Sequence, residues 1–188
     1  IADTQCPKTW AIADTAPFRW GTRPADPVCI CYLLIPWLLY LHFNDQQTMA
    51  RHYAGMKAWV ECLASHSQAH IVTYSHYGDW APPLTVSLPN GSAVSANTPG
   101  ELISTANYAY ASGLLSRIAD VLGNRDDAEL YRQRRSDVHD AYNRRFYDVS
   151  SGGDGTNNQA CNAISLALGL VPEPLVERVV SNLVQDVE

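Results

Sequence analysis

The sequence has no run of about 20 apolar residues, the length a membrane-spanning helix needs. Its most apolar stretch, residues 28–43, is shorter, contains Pro36 and Trp37 and lies in mid-chain. No basic start followed by an apolar stretch is present, so no signal peptide is expected, and a chain that begins with Ile1 reads as processed or truncated. The 5 cysteines (Cys6, Cys29, Cys31, Cys62 and Cys161) lack CxxC spacing. An odd number without that spacing argues against a closed disulfide framework and a zinc finger, and favours buried free thiols. Charge is sparse at 17%, with 13 Lys plus Arg against 19 Asp plus Glu and a net charge of -6. Basic residues cluster only at Arg132, Arg134, Arg135, Arg144 and Arg145, which disfavours a nucleic-acid groove.

Motifs for nucleotide and nucleophile chemistry are missing as well. There is no P-loop and no GxSxG, and Gly152-Gly153-Asp154-Gly155 is not followed by a helix carrying a lysine. His66, His70 and His76 have no carboxylate or thiolate at a helical spacing to complete a metal site. Neither a metal nor a cofactor is expected.

What remains is a chain of 188 residues, 46% hydrophobic, long enough to bury a core. Residues 28–43 are apolar on every face, which predicts a helix buried on all sides with a kink at Pro36. Asn44 and Asp45 break that run and can cap an amphipathic helix over residues 46–65, with Met49, Tyr53, Met56, Trp59 and Leu63 at spacings of three and four. Residues 68–97 are rich in Pro, Gly, Ser and Asn, with an Ile-Val-Thr-Tyr run at 71–74 and an Asn90-Gly91 turn signal. They predict a long functional loop with a small hairpin.

Thr98-Pro99-Gly100-Glu101 predicts a capping box, with Thr98 as N-cap, opening a helix to about residue 122 whose small residues suit an inner position. An outer helix over 126–146 is acidic at its start and basic at its end. A short helix over 158–168 and a last one from Pro172 or Glu173 complete three helical hairpins. The expected class is all-α. Alternating buried and amphipathic helices suit either an α/α toroid or a helical repeat, and the toroid is favoured because no sequence period recurs.

The stretch with most chemical content is Tyr77-Gly78-Asp79-Trp80-Ala81-Pro82-Pro83, a carboxylate and an indole in a proline-constrained loop. Indole faces pack on the C–H faces of sugars, and a neighbouring carboxylate accepts bonds from sugar hydroxyls. The competing reading is a turn in which Asp79 caps a backbone amide and Trp80 fills a crevice. Trp10 and Trp20, with Asp14 and Asp26 near them in sequence, form a second candidate wall.

Several separated motifs resemble one family. They are Ile35-Pro36-Trp37-Leu38-Leu39-Tyr40, the YxxMxxWVxxL pattern over 53–63, the 77–83 segment, Asn97-Thr98-Pro99 with Glu101-Leu102-Ile103, and Asn158-Gln159-Ala160 leading to Leu170-Val171-Pro172. In this order they resemble the catalytic domain of the bacterial-type α-L-rhamnosidases, glycoside hydrolase family 78, an (α/α)6 barrel. The resemblance implies a rhamnose-containing carbohydrate as partner, a pocket holding Trp80, Asp79 and Trp20, and three hairpins that make about half of the barrel. It also implies that residues 1–188 are a central piece whose remaining interface is the rest of its own catalytic domain. The family's general acid and base motifs are absent from this chain, so no catalytic residue is assigned. One departure is Thr22-Arg23-Pro24-Ala25-Asp26, which intervenes after Trp20-Gly21, where the family commonly has an acidic residue directly. Another (α/α)6 enzyme acting on carbohydrate, or a non-catalytic sugar-binding or scaffold module, would share the same pattern.

Overall fold

The computed structural model describes residues 1–18, 21, 24–80, 85–87 and 93–187. Six α-helices pair in sequence: α1 (Cys31–Phe43) with α2 (Gln46–Ser65), α3 (Gly100–Val121) with α4 (Arg125–Phe146), and α5 (Gln159–Ala167) with α6 (Val176–Val187). Three two-stranded antiparallel ribbons decorate the connections: β1 (Ser67–Gln68) with β2 (Ile71–Val72), β3 (Thr85–Ser87) with β4 (Ala93–Ser95), and β5 (Tyr147–Asp148) with β6 (Gly153–Asp154). The expected all-α class with three hairpins is what the chain forms. The loop over 68–97 holds one ribbon and shares another with residue 67, and its Asn90-Gly91 turn lies outside the described residues.

Helix α3 is the hub and packs against α1, α2, α4, α5 and β2. Its small side chains explain this position. Ala106, Ala109, Ala111, Ser112 and Gly113 are buried with Leu102, Leu114, Leu115 and Ile118, and small residues let neighbouring helices approach closely. At Gly113 a Cβ would lie 2.7 Å from Nη1 of Arg135, so a larger residue there would displace the end of that side chain.

The outer helices follow from their sequences. Asp45 caps α2 by accepting from the Thr48 amide at 3.0 Å and the Thr48 hydroxyl at 2.6 Å. Met49, Met56, Trp59, Val60, Cys62 and Leu63 face the core. Helix α4 places Asp126 and Asp127 in its first turn and Arg144 and Arg145 in its last, as the helix dipole favours. Two polar bridges join α2 to α4. Tyr53 and Lys57 both donate to Asp127 at 2.7 Å, and Tyr131 and Arg134 donate to Glu61 at 2.8 and 2.7 Å.

Two expectations are corrected. Helix α1 is not buried on all sides: Tyr32, Leu33 and Pro36 face the core, while Ile35, Leu38, Leu41 and Phe43 are exposed. An all-apolar helix with an open side has more apolar surface than its neighbours here cover. Helix α3 begins after Pro99, and no side chain caps it; the Thr98 hydroxyl instead accepts from Asn158 Nδ2 and donates to Asp79. The ribbon β5–β6 was not expected. Its Asp154 is 1% exposed, and neither carboxylate oxygen has a hydrogen-bond partner among the described residues. Burial raises its pKa, and the neighbouring Ser165 hydroxyl offsets this only in part.

On α6, Val180 and Val184 are also exposed. Apolar faces at both ends of the hairpin series favour association. The 188-residue chain expressed by itself should self-associate in a concentration-dependent way, read by light scattering, and a monodisperse monomer at high concentration would contradict this.

Candidate functional site

The loop after β2 is fixed by one carboxylate from the N-terminal segment. Asp26 is fully buried. Its Oδ2 accepts from the backbone amides of His76 at 2.5 Å and Tyr77 at 2.8 Å, and its Oδ1 from the Val28 amide at 3.0 Å. The Ser75 hydroxyl lies 3.4 Å from Oδ2, and Tyr74 donates its phenol to the neighbouring Ala25 carbonyl at 3.0 Å. A buried carboxylate is tolerable only with such donors. Here the donors are the backbone of the loop itself, so the charge sets the loop's path.

Asp14 extends the same lock. Its Oδ1 accepts from the Asp26 amide at 3.0 Å and its Oδ2 from the Tyr77 phenol at 2.5 Å. Gly21 lies against it with φ of 88°, and a Cβ there would fall 2.1 Å from the Asp14 Oδ2. Only glycine fits both that backbone and that distance.

Tyr77, so held, meets Trp80 edge to face with ring centroids 4.8 Å apart. The indole is 67% exposed. Together with Asp14, Thr15, Val28, Cys29 and Gly78 these rings line an open cavity of about 440 Å³. That volume lies within the range of small-molecule sites, roughly 300–1,000 Å³. The Cys29 thiol at its wall is pushed up to about 12 by burial and by the charges of Asp14 and Asp26, so it is not a ready nucleophile.

Asp79 sits between Gly78 and Trp80 but is not on the cavity's lining. Its Oδ2 accepts from the Thr98 hydroxyl at 2.9 Å. The structure therefore brings Asp79 and Trp80 onto one loop at the N-terminus of α3. Trp20 lies outside the described residues. Trp10 is 47% exposed and is not among the residues lining the cavity. Among the described residues no three His, Cys, Asp or Glu side chains gather as a metal site, and no helix is long and apolar enough to cross a membrane.

Sequence reasoning placed Tyr77 in the 77–83 stretch and Asp26 beside Trp10 and Trp20 without seeing Tyr77 as a wall residue or Asp26 as the anchor, and it missed Val28 and Cys29. Nothing local marks Asp26 as the loop's anchor, because the loop amides it holds are some fifty residues away.

The comparisons place the fold and loop in a lineage. The family described as the bacterial alpha-L-rhamnosidase 6 hairpin glycosidase domain matches residues 1–188. The chain belongs to this family. It is 29% identical over 154 residues to an alpha-L-rhamnosidase of Streptomyces avermitilis, covering 82% of this chain and 14% of that protein. The solved alpha-L-rhamnosidase from Dictyoglumus thermophilum superposes with a TM-score of 0.87 at 32% identity, over 99% of this chain and 20% of that one. That of Streptomyces avermitilis, complexed with L-rhamnose, does so with a TM-score of 0.81 at 26% identity, over 97% and 16%. The chain thus spans about a seventh of the length of the curated relative. Three helical hairpins are half of the six in the family's description.

Removing the anchor tests the site's construction. Asp26→Ala leaves buried amides of the loop unpaired, at about 1–3 kcal/mol for each such group. The urea midpoint should fall accordingly, and an unchanged midpoint would show that Asp26 does not hold the loop.

Proposed function

We propose that this chain is part of an inverting exo-glycosidase that hydrolyses terminal α-L-rhamnose from glycosides or polysaccharides. The observation that carries the reading is the Tyr77–Trp80 pair, an exposed indole propped edge-on over a cavity of sugar-sized volume with Asp79 beside it. An indole face open to solvent offers a C–H stacking platform, and a carboxylate discriminates among hydroxyl positions. The Streptomyces avermitilis relative, whose structure is a complex with L-rhamnose, supports the choice of sugar.

In this reading Trp80 and Trp20 hold the rhamnosyl ring and Asp79 accepts from its hydroxyls. Hydrolysis needs two further carboxyl groups, about 6.5–9.5 Å apart for inversion. Asp14 is not suited to either part, since its two oxygens are held by the Asp26 amide and the Tyr77 phenol. As the family resemblance implies, the acid and base are assigned to parts of the protein outside these 188 residues, which would also cover the exposed faces of α1 and α6. No cofactor is needed, because acid and base suffice for the reaction.

Trp80→Ala in the full-length enzyme should lower kcat/KM on an aryl α-L-rhamnoside by about tenfold or more, equivalent to roughly 1.4 kcal/mol. Unchanged kinetics would take Trp80 out of the pocket.

A further inference from the structure

We propose that Thr98 and Asn158 are positioning residues that hold Asp79 by a one-way hydrogen-bond relay, leaving one carboxylate oxygen for the ligand. This rests on the reading of Asp79 as a sugar contact. The direction of the relay follows from valence. Asn158 caps α5, its Oδ1 accepting from the Cys161 amide at 2.9 Å. That fixes the orientation of the amide, so Nδ2 is the atom 2.9 Å from the Thr98 hydroxyl oxygen. An amide nitrogen only donates. The hydroxyl must accept from it, and its single proton is left for Asp79 Oδ2, 2.9 Å away.

Thr98 is 5% exposed and Asp79 half-buried, so the bond between them is partly shielded from water. The Thr156 hydroxyl ties the same turn from the other side, donating to the Asn97 carbonyl at 2.6 Å. Asp79 Oδ1 has no hydrogen-bond partner among the described residues and is not enclosed. One oxygen is thus anchored and the other available. Thr98 gives up the helix cap its sequence position offers, which accounts for a threonine at the start of an uncapped α3. The relay runs from the N-terminus of α5, past that of α3, to the loop bearing Trp80, and it ties the third hairpin to the candidate site.

The test is a double-mutant cycle in the full-length enzyme, with an aryl α-L-rhamnoside as probe and thermal melts to check folding. Thr98→Val removes the hydroxyl at nearly constant volume and should raise KM by roughly tenfold, as expected for one hydrogen bond to a charged group, with little change in kcat. Thr98→Ser restores the hydroxyl and should restore KM. In an Asp79→Ala background Thr98→Val should add nothing. Asn158→Asp keeps the capping oxygen but loses the donor and competes for the threonine proton, so it should raise KM similarly; it serves as the second arm if Thr98→Val does not fold. If Asp79→Ala impairs the enzyme while Thr98→Val is silent, or the two effects multiply, or Thr98→Ser fails to rescue, the relay is overturned and the Asp79 reading survives. If Asp79→Ala is itself silent, both fall.

Discussion

Fully buried, Asp26 carries a charge that must be satisfied by donors within reach, and the nearest donors are backbone amides of the loop after β2. A carboxylate buried without donors would cost several kcal/mol, so the loop and the N-terminal segment can only settle together. Everything else about the site follows from that junction. With His76 and Tyr77 fixed by their amides, the Tyr77 phenol reaches Asp14, its ring supports Trp80, and Gly78 carries the chain past the start of α3. The candidate pocket is assembled from polar locks beneath an apolar rim.

The second determinant is the helix at the centre. Helix α3 touches four other helices because its side chains are small where neighbours cross it, and Gly113 leaves room for the end of the Arg135 side chain. Its N-terminus faces the Trp80 loop and, through Thr98 and Asn158, the start of α5. Packing that stabilises the hairpins therefore also places the candidate site, and in the proposed reading the open faces of α1 and α6 are where the rest of a larger barrel would pack.

The hairpins were legible because their signals are local. Asp45 as a cap, the three-and-four spacing of α2 and the charge gradient of α4 all act within one helix. The Tyr-Gly-Asp-Trp loop was legible as chemistry from composition alone. What could not be read was long-range: Asp26 and the loop amides it holds are about fifty residues apart, and nothing near Asp26 marks it as buried. Thr98 misled for the same physical reason. A hydroxyl before a proline and a helix reads as a cap, which needs the oxygen as an acceptor, yet Thr98 Oγ1 accepts from Asn158 Nδ2, sixty residues later, and gives its proton to Asp79, nineteen residues earlier. The apolar surface of α1 was read as buried because a sequence cannot show which neighbours are present to cover it.

The central claim is that the loop holding Asp79 and Trp80 is one wall of a rhamnose pocket. The most direct measurement is a crystal structure of the full-length protein with L-rhamnose bound. The account predicts the sugar ring in van der Waals contact with the Trp80 indole and one of its hydroxyls hydrogen-bonded to Asp79 Oδ1, with Oδ2 still on Thr98. Rhamnose bound elsewhere, with this loop empty, would contradict it.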